Sequence, residues 1–130
     1  MNSESLDSIS DWIDNANEDF QLAEYLLYTR PEFFKSVCFH LQQAAEKYLK
    51  AYLSFHEKEI IKTHDIEFLL AECAKFSIEF SKIDPENLSD FAVEVRYPSY
   101  LFEPSLKEAN QHKLIVDEIK NLVLSKLNFK

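Results

Sequence analysis

The chain has 130 residues, of which 46% are hydrophobic and 14% aromatic, so it is long and apolar enough to form one domain with a buried core and is not disordered. It contains no glycine, which excludes the Gly-rich loops that hold phosphates and the tight hairpins that need a positive φ. The net charge of −9 argues against a protein that coats nucleic acid, because that affinity comes mainly from Lys and Arg neutralising phosphates.

The sequence shows no membrane or export signal. No apolar run approaches the ~20 residues that a membrane span needs, and the first residues are polar and acidic, unlike a signal peptide. Cys38 and Cys73 fall on the apolar sides of predicted helices and have no CxxC spacing, so we expect reduced core thiols rather than a zinc site. These features predict a cytoplasmic protein.

The first predicted helix is marked by apolar residues three and four positions apart, from Ile9 to Leu27. We expect it to run to about Tyr28, after a polar, frayed lead-in of residues 1–7. The turn over residues 29–31 is short, which predicts a second helix that returns antiparallel to the first. We expect Pro31 at the first position of that helix, since a missing N–H is tolerated there, and its end near His56.

The second predicted helix carries the densest apolar pattern in the chain. Between Val37 and Leu53 its apolar residues cover an arc of roughly 200°, which is too wide for a helix lying on a surface. We therefore expect this helix to be central, with neighbours on more than one side. The remaining arc carries a polar ridge at steps of three and four, formed by His40, Gln43, Lys47, Lys50 and Ser54. Glu46 and Lys50, four residues apart, are expected to form a surface ion pair.

Two helices are expected between the central helix and the last one. Thr63 or His64 is expected to cap a third helix, from Asp65 to about Phe80. Asp84 followed by Pro85 predicts a fourth helix through Arg96, because Asp caps a helix and Pro fits its first position.

The last predicted helix begins after Ser105, which is expected to cap it, and its buried line contains Ala109, Val116, Ile119 and Val123. No strand pattern with turn residues occurs along the chain. The sequence therefore predicts an all-α fold, an antiparallel up-and-down helical bundle of four main helices plus one shorter helix, in a single domain over residues 1–130.

The start of the third helix has two interpretations. In the first it is a cap, in which Thr63 or His64 satisfies free N–H groups while Asp65 opposes the helix dipole. In the second, His64 lies at the mouth of an anion or nucleotide site beside Lys47 and Lys50. The four histidines are separated by sixteen, eight and forty-eight residues, spacings that match no metal motif, so no metal site is expected.

Several segments resemble the HEPN domain (higher eukaryotes and prokaryotes nucleotide-binding domain). Residues 43–51 read Gln-Ala-Ala-Glu-Lys-x-x-Lys-Ala, residues 63–65 read Thr-His-Asp, and residues 96–98 read Arg-Tyr-Pro. The match extends from about Asp19 to Leu127. The resemblance implies a helical bundle, and members of the family range from RNases to nucleotide binders to scaffolds.

RNases of this family carry an Arg followed four to six residues later by a His, and two copies of the motif meet across a dimer interface. The corresponding positions after Arg96 are Tyr100, Leu101 and Phe102, so the His is missing and no general acid or base is evident there. The resemblance thus implies a binding module rather than an enzyme. The alternatives are a metal-independent endoribonuclease with a degenerate site, for which Arg96, Tyr100 and His64 are the catalytic candidates, and a structural dimer or scaffold.

The ligand implied by the resemblance is a nucleotide such as ATP or GTP, or a partner protein. That partner would be the minimal nucleotidyltransferase often found with this family in two-component, toxin–antitoxin-like systems. No cofactor and no broad RNA binding are expected. The candidate ligand contacts are His40, Gln43, Lys47, Lys50, His64, Asp65 and Arg96.

We also expect a homodimer. The wide apolar arc of the second helix, together with Tyr97, Tyr100 and Phe102, exceeds what one thin bundle can cover, and exposed patches of that size usually mark an interface.

Overall fold

The computed structural model describes residues 3–59, 62–92 and 105–128, with side chains from residue 8 onward. Over these ranges the chain forms the α-helices α1 (Ser3–Thr29), α2 (Phe34–Phe55), α3 (Ile66–Ala74) and α4 (Leu106–Leu127). Two 3₁₀ helices, Ile78–Lys82 and Leu88–Phe91, lie between α3 and α4, and these ranges contain no strand. The predicted all-α helical fold is confirmed.

Helix α1 begins earlier than the apolar pattern indicates, because its backbone is helical from Ser3, within the segment predicted to be frayed. The turn after α1 also differs from the prediction. Pro31 does not open α2; it lies inside a turn closed by the hydrogen bond from Phe33 N–H to the Arg30 carbonyl, 3.0 Å. Pro favours the second position of such a turn, and α2 begins only after it, at Phe34.

Helix α2 lies at the centre of the bundle, packed against α1, α3, α4 and the second 3₁₀ helix. Its apolar arc is fully buried, with 0% exposure at Val37, Leu41, Ala44, Ala45, Tyr48 and Leu49. The predicted central position is confirmed. Because the bundle itself covers this arc, α2 does not supply the dimer surface that the sequence predicts, and Tyr97, Tyr100 and Phe102 lie outside the described residues.

Helices α1 and α2 are antiparallel, as predicted. Asn17 accepts a hydrogen bond from the Tyr48 hydroxyl at 2.5 Å, whereas Asp19, later on α1, contacts His40, earlier on α2. The predicted apolar line of α1 is buried from Ile9 to Ala23, with 0–3% exposure at Ile9, Ile13, Ala16, Phe20 and Ala23, and Leu27 at its end is partly buried.

Helix α3 is shorter than the predicted helix. It ends at Ala74, and Ser77 then adopts an extended backbone (φ −150°, ψ 116°) before the first 3₁₀ helix. This change of direction lets Phe80 enter the core, where its ring lies 4.7 Å from that of Tyr52. The continuous helix predicted as far as Phe80 is therefore wrong beyond Ala74.

The fourth predicted helix is, within the described residues, only the 3₁₀ helix Leu88–Phe91. The Asp84 carboxylate accepts a hydrogen bond from Glu86 N–H at 2.9 Å, and Glu86 has φ 50°. Because a positive φ is incompatible with a right-handed helix, no helix can continue through this turn from Pro85. Leu88 and Phe91 are nevertheless buried.

Helix α4 matches its prediction closely. The Ser105 hydroxyl accepts a hydrogen bond from Glu108 N–H at 3.1 Å, and Ala109, Val116, Ile119 and Val123 are fully buried. Asn128, at φ 60°, ends the helix in the left-handed conformation common at such ends.

Both cysteines are free and buried. Burial raises the pKa of each thiol to about 12, because it disfavours the thiolate. The prediction of reduced core thiols is confirmed. No helix in the described ranges is long and apolar enough to cross a bilayer.

Candidate functional site

The polar side of α2 carries two neighbouring hydrogen-bonded clusters, which together we call the polar face. The Asp19 cluster consists of Asp19, His40 and Lys47. The Glu46 cluster consists of Gln42, Gln43, Glu46, Lys50 and His64. The two clusters are neighbours because both include residues of α2, where Glu46 and Lys47 are consecutive.

Glu46 is the centre of its cluster. One carboxylate oxygen, Oε1, lies 2.8 Å from His64 Nδ1, and the other, Oε2, accepts a hydrogen bond from Lys50 Nζ at 2.9 Å. Both members of this ion pair are buried, with 5% exposure for Glu46 and 6% for Lys50. The ion pair predicted from the spacing therefore forms, but the prediction that it lies on the surface is wrong. Trp12 of α1 contributes to the burial, since Lys50 Nζ lies 5.7 Å from the centre of its indole ring.

Two glutamines connect the Glu46 cluster to other segments. Gln42, which is fully buried, donates from Nε2 to the His64 carbonyl at 3.0 Å, and Gln43 donates to Gln42 Oε1 at 2.8 Å. Gln43 also donates to the Ala92 carbonyl, 3.3 Å. These bonds hold the segment before α3 and the end of the second 3₁₀ helix against α2. Gln42 was not among the residues predicted from the sequence. The one local feature that could have indicated it is its position four residues before Glu46, since side chains at that spacing are neighbours on a helix.

The Asp19 cluster joins α1 to α2. Asp19 Oδ1 lies 2.9 Å from His40 Nδ1, and Oδ2 accepts from Lys47 Nζ at 2.5 Å. Burial alone would raise the pKa of Asp19, but the hydrogen bonds from His40 and Lys47 outweigh burial and leave the pKa below its ordinary value. Asp19 is therefore a carboxylate that holds two partly exposed basic side chains in place. Sequence reasoning also missed Asp19, because only the packing of α1 on α2 brings it to them.

The start of α3 is capped by the protein itself. Asp65, and neither Thr63 nor His64, is the cap, and its carboxylate accepts from Phe68 N–H at 3.0 Å. Ile66 N–H donates to the Ser89 hydroxyl at 2.8 Å. Two N–H groups at the start of α3 are therefore satisfied by side chains of the chain itself, and Asp65 is the cap in place of the predicted Thr63 or His64.

His64 differs from the other members of the Glu46 cluster because 62% of its side chain is exposed. Its Nδ1 is bound to the Glu46 carboxylate, so Nε2 is the ring nitrogen left for an external group. Neutral imidazole can accept a hydrogen bond there, and protonated imidazole can donate one.

The structure therefore places most of the predicted ligand contacts close together. In each cluster, a carboxylate binds the basic side chains and holds them beside one another. Glu46 joins Lys50 to His64, and Asp19 joins His40 to Lys47. Asp65 is a helix cap. Arg96 and Tyr100 lie outside the described residues. In the described part of the chain, no three His, Cys, Asp or Glu side chains are grouped so that they could hold a metal ion.

Comparisons with known proteins agree on one family. The family model for the HEPN domain matches residues 9–127. A solved crystal structure of an archaeal HEPN homologue is similar in fold, with a TM-score of 0.66, 24% sequence identity and coverage of 91% of this chain and 96% of that chain. No curated protein matches the chain. Because the family model spans most of the sequence, and the helical fold agrees with it, the protein belongs to the HEPN domain family.

Proposed function

We propose that this HEPN domain acts by binding, and that its ligand is a nucleotide such as ATP or GTP held over the polar face. The observation that carries this proposal is the state of His64, whose side chain is 62% exposed while its Nδ1 is fixed 2.8 Å from a buried carboxylate. A side chain that is already fixed loses little rotamer freedom when it binds a ligand, so more of the contact energy appears as affinity.

Lys47 and His40 are positioned in the same way. Their side chains are 26% and 24% exposed, and Asp19 holds both. An ammonium group has three N–H donors, so after its bond to Asp19 Lys47 keeps two for phosphate oxygens. Lys50 has a different role, because its side chain is only 8% exposed and it is paired with Glu46. We assign Lys50 to positioning Glu46, and through it His64.

The charge balance of the polar face favours a small ligand over an RNA chain. The carboxylates of Asp19 and Glu46 offset the ammonium groups of Lys47 and Lys50. Affinity on this face therefore depends on directed hydrogen bonds rather than on a surplus of positive charge. Binding along an RNA chain relies on that surplus, since it neutralises many phosphates.

Calorimetric titration with ATP and GTP tests the proposal. We expect Lys47→Ala and His64→Ala each to weaken binding by about tenfold or more, because a hydrogen bond to a charged group contributes roughly 1.5–3 kcal/mol. Lys82→Ala, an exposed lysine of the first 3₁₀ helix, is the control and should bind like the wild type. Absence of binding by the wild type, or wild-type affinity in both variants, would contradict the proposal.

One observation favours a second candidate, the metal-independent endoribonuclease. An exposed imidazole whose Nδ1 is bound to a buried carboxylate is oriented as a general acid or base would be, which makes His64 the first candidate for moving a proton. We rank this function second because the His expected after Arg96 is missing. RNA cleavage in the presence of a metal chelator, lost in His64→Ala but kept in His40→Ala, would reverse the ranking.

We further propose that the homodimer uses α1, and the same surface is our candidate for contact with a nucleotidyltransferase partner. Leu22, Tyr25 and Tyr28 lie along one side of α1 and are 40%, 58% and 90% exposed. Tyr is enriched at protein interfaces, which supports this surface over the buried arc of α2.

The dimer proposal predicts that Tyr25→Ser combined with Tyr28→Ser converts a dimer into a monomer in sedimentation at tens of micromolar. Leu114→Ser, at a 63% exposed position on α4, is the control and should remain dimeric. A monomeric wild type would remove the proposal.

A further inference from the structure

One exposed imidazole of the polar face, that of His64, is fixed at both its ring and its backbone. Its Nδ1 lies 2.8 Å from Glu46 Oε1, and its carbonyl accepts a hydrogen bond from Gln42 Nε2 at 3.0 Å. The side chain is nevertheless 62% exposed. Because it has already lost much of its rotamer freedom, this imidazole can meet a reacting group in one defined orientation.

The Glu46 carboxylate determines which nitrogen of the His64 ring carries the proton. A carboxylate can only accept hydrogen bonds, and Oε2 of the same group accepts from Lys50 Nζ at 2.9 Å. Nδ1 must therefore be the protonated nitrogen, and in the neutral ring the lone pair is on Nε2. A neutral imidazole with its lone pair on the nitrogen left for an external group is a nucleophile.

The ion pair behind His64 has a function that stability does not explain. Glu46 and Lys50 are 5% and 6% exposed, and removing two charges from water can cost more free energy than their attraction supplies. A buried ion pair is therefore weak evidence for a stabilising role. This pair does give Nδ1 a fixed and charged acceptor, which stabilises the positive charge that the ring gains when Nε2 forms a bond.

The other basic groups of the polar face favour a phosphoryl group as the electrophile. The side chains of Lys47 and His40 are 26% and 24% exposed, and Asp19 holds both. Charge-assisted N–H donors of this kind bind phosphoryl oxygens. An acyl group carries no such charge, so it matches this face less well.

We propose that His64 is a phosphorylation site, at which Nε2 accepts a phosphoryl group from a small activated donor such as phosphoramidate. The Nε2 lone pair forms the bond to phosphorus, and the bond from phosphorus to the leaving group breaks with its electron pair. The ammonium form of phosphoramidate releases ammonia, so the step needs no proton transfer. The ring keeps its Nδ1 proton, and its positive charge lies beside the Glu46 carboxylate.

This inference uses the polar face of the proposed nucleotide site but requires no nucleotide. Calorimetric binding of ATP involves no covalent step, and phosphorylation by phosphoramidate involves no ATP. The two proposals can therefore fail separately.

The test treats the full chain with phosphoramidate, with N-acetylhistidine in the same solution as a fully exposed comparator. We expect His64 to react about tenfold faster or more than the comparator, because its ring is fixed and its developing charge is stabilised by a charged hydrogen bond. Mass spectrometry of peptides kept at alkaline pH locates the acid-labile phosphoryl group. Heteronuclear NMR identifies the Nε2 isomer as the expected product.

Glu46→Gln should slow phosphorylation of His64 by about tenfold or more, because an amide stabilises the charged ring less than a carboxylate does. Circular dichroism checks that the variant is folded. If it is not, Glu46→Gln combined with Lys50→Met takes its place, since it leaves no unpaired buried ammonium group, and the same loss of rate is expected.

His56→Gln is the matched control. The His56 ring is partly buried, lies outside the polar face and stacks on Phe76 with 4.0 Å between ring centres, so its loss should leave the rate at His64 unchanged. The proposal is overturned if His64 reacts no faster than N-acetylhistidine, or if the product is the Nδ1 isomer. A wild-type rate in the folded Glu46 variant would overturn it as well.

Discussion

Replacing Glu46 by alanine is expected to lower the free energy of unfolding by about 3–5 kcal/mol, the loss typical when one partner of a buried ion pair is removed. In Glu46→Ala the Lys50 ammonium stays buried without its carboxylate, and Gln42 and His64 lose an acceptor. An exposed ion pair contributes only about 0–1 kcal/mol. The size of the loss therefore distinguishes the buried pair in the structure from the surface pair that the spacing predicts. Urea unfolding followed by circular dichroism measures it.

Two controls accompany this measurement. The double variant Glu46→Leu, Lys50→Met removes both charges at once and should recover much of the loss, because apolar side chains of similar size often replace a buried ion pair without cost. Lys113 and Asp117 form an ion pair at the same spacing on α4, but with side chains 30% and 36% exposed. Asp117→Ala should therefore cost about 1 kcal/mol or less. A similar small loss in Glu46→Ala would show that its pair is not buried in solution.

Leu41→Ala is expected to lower the free energy of unfolding by about 2–5 kcal/mol, the range for large-to-small substitutions in a packed core. Leu41 is on α2 with 0% exposure, so the substitution removes buried apolar contacts and leaves a cavity at the centre of the bundle. Denaturant unfolding at constant pH and salt gives the difference.

Leu114→Ala makes the same chemical change at a position on α4 that is 63% exposed. Its effect should stay within about 0.5 kcal/mol, as for most surface substitutions. The contrast between the two variants tests the central position of α2 directly. Equal losses would mean that α2 is not the core helix.

A variant of Glu46 also bears on function. If His64 contacts the ligand, Glu46→Gln should weaken nucleotide binding even where the fold is kept, because the amide is a weaker acceptor than the carboxylate that fixes the ring. For this reason the stability and affinity of Glu46 variants must be measured together. The Lys47 side chain is held by Asp19 and not by Glu46. The affinity of Lys47→Ala therefore reports the contribution of the Asp19 cluster separately from that of the Glu46 cluster.

Much of the fold could be predicted from the sequence, because periodicity and capping are local properties of the chain. The apolar spacing from Ile9 to Leu27 and the wide arc of the second helix are sufficient to predict α1, α2 and the central position of α2. Ser105 marks the start of α4 in the same way, since a hydroxyl that accepts from the first turn acts over three residues.

The local sequence pattern predicted the wrong helix bounds where tertiary contacts determine the backbone. Nothing in the periodicity of α3 requires a stop at Ala74, but the extended backbone at Ser77 takes Phe80 into the core beside Tyr52. Asp84 and Pro85 have the composition of a helix start, yet Glu86 adopts a positive φ and only a 3₁₀ helix follows.

In the candidate site, too, some features follow from local sequence and others from tertiary packing. The sequence by itself determined which polar residues share one side of α2, because a helical repeat of 3.6 residues places them there. Only the tertiary structure decided which of them are buried and which carboxylate holds each one. Glu46 and His64 are separated by 18 residues, and Asp19 and Lys47 by 28, so the packing of α1 and of the segment before α3 creates these contacts. Helical spacing is the same for a buried ion pair as for a solvated one, and the neighbouring segments that remove water from Lys50 are not encoded in that spacing.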